Sequence, residues 1–222
     1  MIVQIYSVTS AEQALQLADL GVDHIGFVAG VYGEVPSELP FERAREVADA
    51  LRGRAASSAL TMSADVAEIL RMAAAVRPDI VHVSTDTDVL GVPALRQLRA
   101  ALPPEVRLMK AVQVDGPASV APALAFAPVA DIILLDTKVA GLPGVGATGV
   151  THDWQISRQI VEQVGERARV ILAGGLTPAN VAAAIRTARP WGVDSFSGTN
   201  APATRTKDLA LVRQFVAEAR RA

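Results

Sequence analysis

Short apolar runs recur along the chain and are separated by longer stretches of mixed character. The runs are Ile2–Ile5, His24–Val28, Ser57–Thr61, Ile80–Val83, Leu108–Val114, Ile132–Leu135, Val170–Ala173 and Val193–Phe196. Most are β-branched and nearly continuous in hydrophobicity, as strands buried on both faces are. In the intervening stretches apolar residues return at the three- and four-residue spacing of an amphipathic helix. These stretches are Ala11–Leu20, Phe41–Leu51, Ala64–Ala75, Pro93–Ala101, Ala118–Phe126, Trp154–Gly165, Pro178–Ala188 and Asp208–Arg221. Boundary chemistry agrees: Thr9-Ser10 precedes the first helix, Glu12 lies in its first turn and Gly21 just past its end. Pro40 introduces the second helix, and Ser63 is a plausible N-cap for the third.

Strand followed by helix, repeated through the chain in units of about 25–30 residues, predicts an α/β fold closed as a (β/α)8 TIM barrel. An open, doubly wound sheet is the rival, and the absence of a long insertion favours closure. No linker or change of composition divides the 222 residues, so one domain spanning 1–222 is expected. Half of the residues are hydrophobic, enough for a large core. A net charge of −2 with 20% charged residues offers neither a basic footprint for nucleic acid nor a polybasic membrane patch. Cysteine is absent, which excludes disulfides, thiolate metal sites and any cysteine nucleophile or base. The opening MIVQIYSVTS has no leader pattern, and no window is long and apolar enough to span a membrane. A cytoplasmic protein, monomeric or homodimeric, is expected.

In such a barrel, function gathers at the C-terminal ends of the strands and in the loops that follow. Two of those loops are rich in glycine. Ala173-Gly174-Gly175-Leu176-Thr177-Pro178 leaves the seventh strand, and Ser197-Gly198-Thr199-Asn200 leaves the eighth. Glycine lets backbone N–H groups approach an anion closely, and a following helix adds its dipole. Gly174, Gly175, Ser197 and Gly198 are therefore candidates for holding a phosphate, although tight turns alone would also use glycine. The long segment Gly141–Asp153 follows the sixth strand, and its Gly146, Thr148 and Gly149 read as further donors on a substrate-covering loop. His24, His82 and His152 show no metal-binding spacing, so neither metal nor cofactor is expected. His82 reads as a core histidine and Asp194 as an interior brace. Lys110, within the fifth strand, could reach the barrel interior; an ion pair is favoured there over a Schiff-base role. Trp154 and Trp191 read as packing residues.

The chain resembles the phosphoribosylanthranilate isomerase family nearly from end to end. The likeness is clearest in Ile132-Ile133-Leu134-Leu135-Asp136-Thr137-Lys138 and in Gly146-Ala147-Thr148-Gly149 through Asp153-Trp154. It continues in Ala173 through Val181, Arg189-Pro190, Val193-Asp194, Ser197-Gly198 and Lys207-Asp208. The resemblance implies an Amadori rearrangement, in which a phosphoribosylamine opens and an aminoaldose becomes an aminoketose. An Asp ending the sixth strand protonates the ring oxygen, and that position matches Asp136. A Cys ending the first strand removes the C2 proton.

Three departures stand against these matches. The family's Lys-Ile-Cys-Gly-Ile-Thr reads Gln4-Ile5-Tyr6-Ser7-Val8-Thr9, so the base position is Tyr6 and the neighbouring Lys is Gln4. The family places an Arg after the second strand for the anthranilate carboxylate, whereas Ala29–Leu39 has no cation and carries Glu34 and Glu38. The family's His after the fourth strand is Ser84. The expectation is an isomerase-like enzyme on a small phosphorylated sugar or phosphoribosyl compound, with a changed substrate or a lyase variant of the chemistry. Asp136 would be the general acid/base and Tyr6 a second proton-transfer or hydrogen-bonding group. The alternatives are the family's own isomerase with unusual residues, and a non-catalytic protein that binds a phosphometabolite.

Overall fold

The computed structural model describes residues 1–35, 37–137, 151–201 and 206–222. Eight parallel strands form the barrel: β1 Ile2–Ile5, β2 His24–Ala29, β3 Ala56–Thr61, β4 Ile80–Val83, β5 Arg107–Val114, β6 Ile132–Thr137, β7 Arg169–Leu172 and β8 Gly192–Ser195. Each pairs with its neighbour in chain order, and β1 pairs with both β2 and β8, which closes the sheet. The sequence pattern did not reveal a short strand, Glu38–Leu39, that lies alongside the end of β2. The outer helices are α1 Ala11–Asp19, α2 Phe41–Leu51, α3 Val66–Val76, α4 Val92–Ala101, α5 Val120–Phe126, α6 Trp154–Val164, α7 Val181–Ala188 and α8 Leu209–Arg221.

Capping side chains set several helix starts. Ser10 accepts from the Gln13 N–H at 3.2 Å, Asp153 from Gln155 at 2.9 Å and Asp208 from Ala210 at 2.8 Å. The cap of α3 is Asp65, and Ser63 instead accepts from the Asp65 N–H at 3.1 Å. The seventh helix starts at Val181 rather than Pro178, because Asn180 Oδ1 accepts from the Thr177 N–H and folds the intervening residues into a turn. None of the helices is long and apolar enough to cross a membrane among the described residues.

Alternation along the strands divides the side chains between two environments. Val3, Ile5, Phe27, Val81, Val83, Leu108, Val112, Ile133, Leu135, Leu172 and Val193 join the core shared with the helices. Each fully buried aliphatic side chain there stabilises by about 1.5–3 kcal/mol relative to exposure. Inside the barrel, Ile80, Met109, Ala111, Ile132, Leu134, Ile171 and Ala173 form a separate apolar cluster. The rest of the interior is polar and includes Gln4, Tyr6, Ser58, His82 and Asp194.

Lys110 lies outside the barrel interior. It alternates with Met109 and Ala111, so its ammonium enters the layer beneath the helices. There it donates to the Thr85 carbonyl and sits 5.6 Å from the centre of the Phe126 ring. Burial lowers its pKa to about 8, and Asp86 opposes that shift. The expected ion pair within the barrel is replaced by a carbonyl and an aromatic face.

Candidate active site

A cleft of about 1010 Å³, part of it open to solvent, lies at the C-terminal ends of the strands. Tyr6, Ser7, His82, Ser84, Asp136, Asp194 and Ser195 contribute its polar groups, and Val28, Val35, Leu60 and Met62 form an apolar wall. Gly174, Gly175 and Ser197 line it too.

The glycine turns are built by close approach. Gly174 has φ +82°, and a Cβ there would stand 2.1 Å from Thr137 Oγ1. A Cβ on Gly198 would stand 2.1 Å from the Leu176 carbonyl oxygen, so this residue presses the loop after β8 onto the loop after β7. Ser195 Oγ donates to the same carbonyl at 2.8 Å. Asn180 Nδ2 donates to the Gly175 carbonyl at 3.0 Å. Among the described residues nothing accepts from the N–H groups of Gly174 and Gly175, which leaves them available to an anion. Ser197 opens a single 3-10 turn, Ser197–Thr199, braced by Lys207, whose Nζ donates to the Phe196 carbonyl at 2.8 Å. Gly146, Thr148 and Gly149 lie outside the described residues.

Asp136 lies within β6, which runs two residues further than the apolar run suggests. It keeps a partial opening to the cleft, and one carboxylate oxygen accepts from the Thr137 N–H at 2.7 Å. Burial raises its pKa to about 6, and the Thr137 N–H opposes that rise. A carboxyl tuned in this way is partly protonated near neutrality and suited to donating a proton.

Tyr6 lies across the interior with its ring over Gly26, where any Cβ would stand 2.2 Å from the ring. Its hydroxyl meets Ser58 Oγ at 2.6 Å and His82 Nδ1 at 2.9 Å. Burial drives the phenol well above its ordinary pKa, against the opposing Ser58 hydrogen bond. Tyr6 is held as a hydrogen-bonding phenol between Ser58 and His82. His82 is a cleft residue as well as a core one. Burial lowers its pKa to about 3, Lys110 adds to this, and Nε2 has no partner among the described residues. Asp194, read as an interior brace, accepts from Gln4 Nε2 at 3.1 Å inside the barrel and also lines the cleft, with 7% exposure.

The loop after β2 disposes of one apparent conflict. Glu38 turns back into its own loop, where its carboxylate accepts from the N–H groups of Tyr32 at 2.6 Å, Gly33 at 2.8 Å, Glu34 at 2.7 Å and Val35 at 2.9 Å. These hydrogen bonds lower its pKa despite a desolvation cost, and its charge is spent on the loop rather than directed at a ligand. No Arg or Lys lines the cleft among the described residues.

A family model for N-(5'phosphoribosyl)anthranilate (PRA) isomerase matches residues 3–218. An N-(5'-phosphoribosyl)anthranilate isomerase from Methanocella arvoryzae is 38% identical over 220 residues, covering 98% of this chain and 97% of that protein. The counterpart from Haloferax volcanii is 37% identical, with 99% and 93% covered. Among solved structures, phosphoribosyl anthranilate isomerase from Thermotoga maritima superposes with a TM-score of 0.81 at 26% identity, each chain fully covered. An isomerase in complex with reduced 1-(o-carboxyphenylamino)-1-deoxyribulose 5-phosphate superposes with a TM-score of 0.77 at 25% identity, again with both chains fully covered. This likeness favours the family's own isomerase over the changed substrate that the three sequence departures suggested. Over nearly its whole length, and with the barrel and cleft already described, the chain belongs to the N-(5'-phosphoribosyl)anthranilate isomerase family.

Proposed function

We propose that this chain converts N-(5'-phosphoribosyl)anthranilate into 1-(o-carboxyphenylamino)-1-deoxyribulose 5-phosphate. The observation that carries the reading is the Asp136 carboxyl, raised to about 6 and facing the same cleft as the two glycine turns. The phosphate would sit on the N–H groups of Gly174 and Gly175 and beside Ser197, with Gly198 holding the two loops together. Gly146, Thr148 and Gly149 would add donors from the loop after β6. The aryl ring would pack on Val28, Val35, Leu60 and Met62, and the hydroxyl groups of Ser7 and Ser37 would donate to its carboxylate where the family uses a cation. Asp136 would protonate the ring oxygen as the C1–O4 bond breaks, leaving an iminium at C1. Tyr6 would keep His82 and Ser58 in place and shape the floor.

Purified protein supplied with N-(5'-phosphoribosyl)anthranilate should turn it over, and the gene should restore growth to a tryptophan auxotroph lacking this isomerase. A protein that binds sugar phosphates but fails both assays would overturn the reading in favour of a non-catalytic binder.

A further inference from the structure

Opening the ring is half of the reaction; a base must still take the proton from C2. Tyr6 is a buried phenol and His82 a buried, weakly basic imidazole, so neither serves. Among the described residues lining the cleft, the carboxyl groups belong to Asp136 and Asp194. They stand at the ends of β6 and β8, on either side of β7, and the charge of Asp136 raises the proton affinity of Asp194.

Asp194 is held for a task. Parallel register places Gln4 of β1 directly opposite it, and Gln4 Nε2 donates to Asp194 Oδ1 at 3.1 Å. The Gln4 amide is itself oriented from behind, since its Oε1 meets His24 Nδ1 at 3.3 Å. An amide oxygen only accepts, so His24 carries its proton on Nδ1, and the Gln4 NH₂ is turned toward Asp194. Among the described residues nothing donates to Asp194 Oδ2, which leaves one oxygen for substrate.

We propose that Asp194 is the base that removes the C2 proton, with Gln4 as its positioning residue; this rests on the isomerase reading above. The C2–H electrons form the C1=C2 bond, and the C1=N π electrons return to nitrogen, giving an enolamine and protonated Asp194. Asp194 then returns a proton to C1 as the C2 hydroxyl proton passes to Asp136 and C2 becomes the ketone. No atom is gained or lost. The departures on β1 fit together: a neutral Gln4 in place of a lysine leaves Asp194 without a directly bonded cation, and so more basic. Burial raises Asp194 to about 7; the Gln4 hydrogen bond and Lys207 lower it, whereas Asp136 raises it. The phenol of Tyr6 packs on the same side and stays neutral.

The pair must carry one proton to work, so kcat/KM should describe a bell bounded by the two carboxyl values of about 6 for Asp136 and about 7 for Asp194, with the working form, Asp136 protonated and Asp194 ionised, the less populated of the two one-proton forms. Asp194→Asn should lower kcat by roughly 10² to 10⁴ with KM changed by less than about threefold, in protein whose melting is still cooperative. Gln4→Lys should place a cation beside Asp194, lower its proton affinity and move the alkaline limb, which its higher value sets, down by about one unit. An Asp194→Asn enzyme within about threefold of wild type overturns the proposal. Should that variant fail to fold, an unmoved alkaline limb in Gln4→Lys overturns it instead. Failure of the isomerase reading is distinguishable, since it would show as absent turnover in the unmutated protein, and it would take this proposal with it.

Discussion

The two sides of the cleft are built from different materials. On the side of β7 and β8, backbone does the holding: glycines lie within van der Waals distance of carbonyl and hydroxyl oxygens, and Leu176 O receives both Ser195 and the pressure of Gly198. On the side of β1 to β4, side chains do it: Ser58, Tyr6 and His82 in one chain, and His24 and Gln4, which reaches across to Asp194 of β8, in another. A backbone site tolerates few sequences, because only glycine fits. A side-chain network can be exchanged as a set, provided that every buried polar group finds a new partner. The first side carries the glycines on which the family resemblance rests, and the second has Tyr6 and Gln4 where that resemblance expects a cysteine and a lysine.

Three substitutions probe that contrast, in descending order of effect. Asp136 stands between the two sides and is assigned the chemistry itself. Asp136→Asn should reduce kcat by roughly 10² or more while binding of a product analogue stays near normal, as calorimetry alongside a turnover assay would show. A variant with undiminished turnover would move the acid elsewhere. Gly198→Val attacks the backbone side. The new side chain meets a carbonyl that cannot retreat, so a loss of about 2–4 kcal/mol in stability and a tenfold or greater rise in KM are expected. A melting curve like wild type with unchanged phosphate affinity would show that the loops are not pressed together. Tyr6→Phe tests the side-chain side most gently. It leaves His82 Nδ1 and Ser58 Oγ short of a partner, which should cost about 1–3 kcal/mol of stability. Turnover should fall less than about tenfold with an unmoved pH profile, because the hydroxyl transfers no proton in this reading. A loss as large as that of Asp136→Asn would make Tyr6 a participant.

The same contrast explains what could be read without coordinates. Strand and helix periods reveal the barrel, because burial on two faces and on one leaves different traces in the order of residues. Gly174, Gly175 and Asp136 are legible because the fold places strand ends at the site and glycine marks backbone approach. Tyr6 was readable as a departure but not as a phenol locked between Ser58 and His82, since those contacts join residues 52 and 76 positions apart. Glu38 looked like a charge facing the ligand, whereas its partners are backbone N–H groups, which every residue but proline carries and composition does not reveal. Lys110 was misplaced because one position of strand parity decides between barrel interior and helix layer.

The ring of Tyr6 over Gly26 also bears on which replacements the site accepts. A cysteine at position 6 would leave a void above Gly26 and two buried polar groups without their shared hydroxyl, so the residue that the family resemblance expects there would not be a neutral replacement. Nor would the smaller residue be helped by enlarging Gly26 first, because any side chain there collides with the tyrosine. The two positions constrain each other: the tyrosine ring requires a glycine beneath it, and that ring fills the space the glycine leaves.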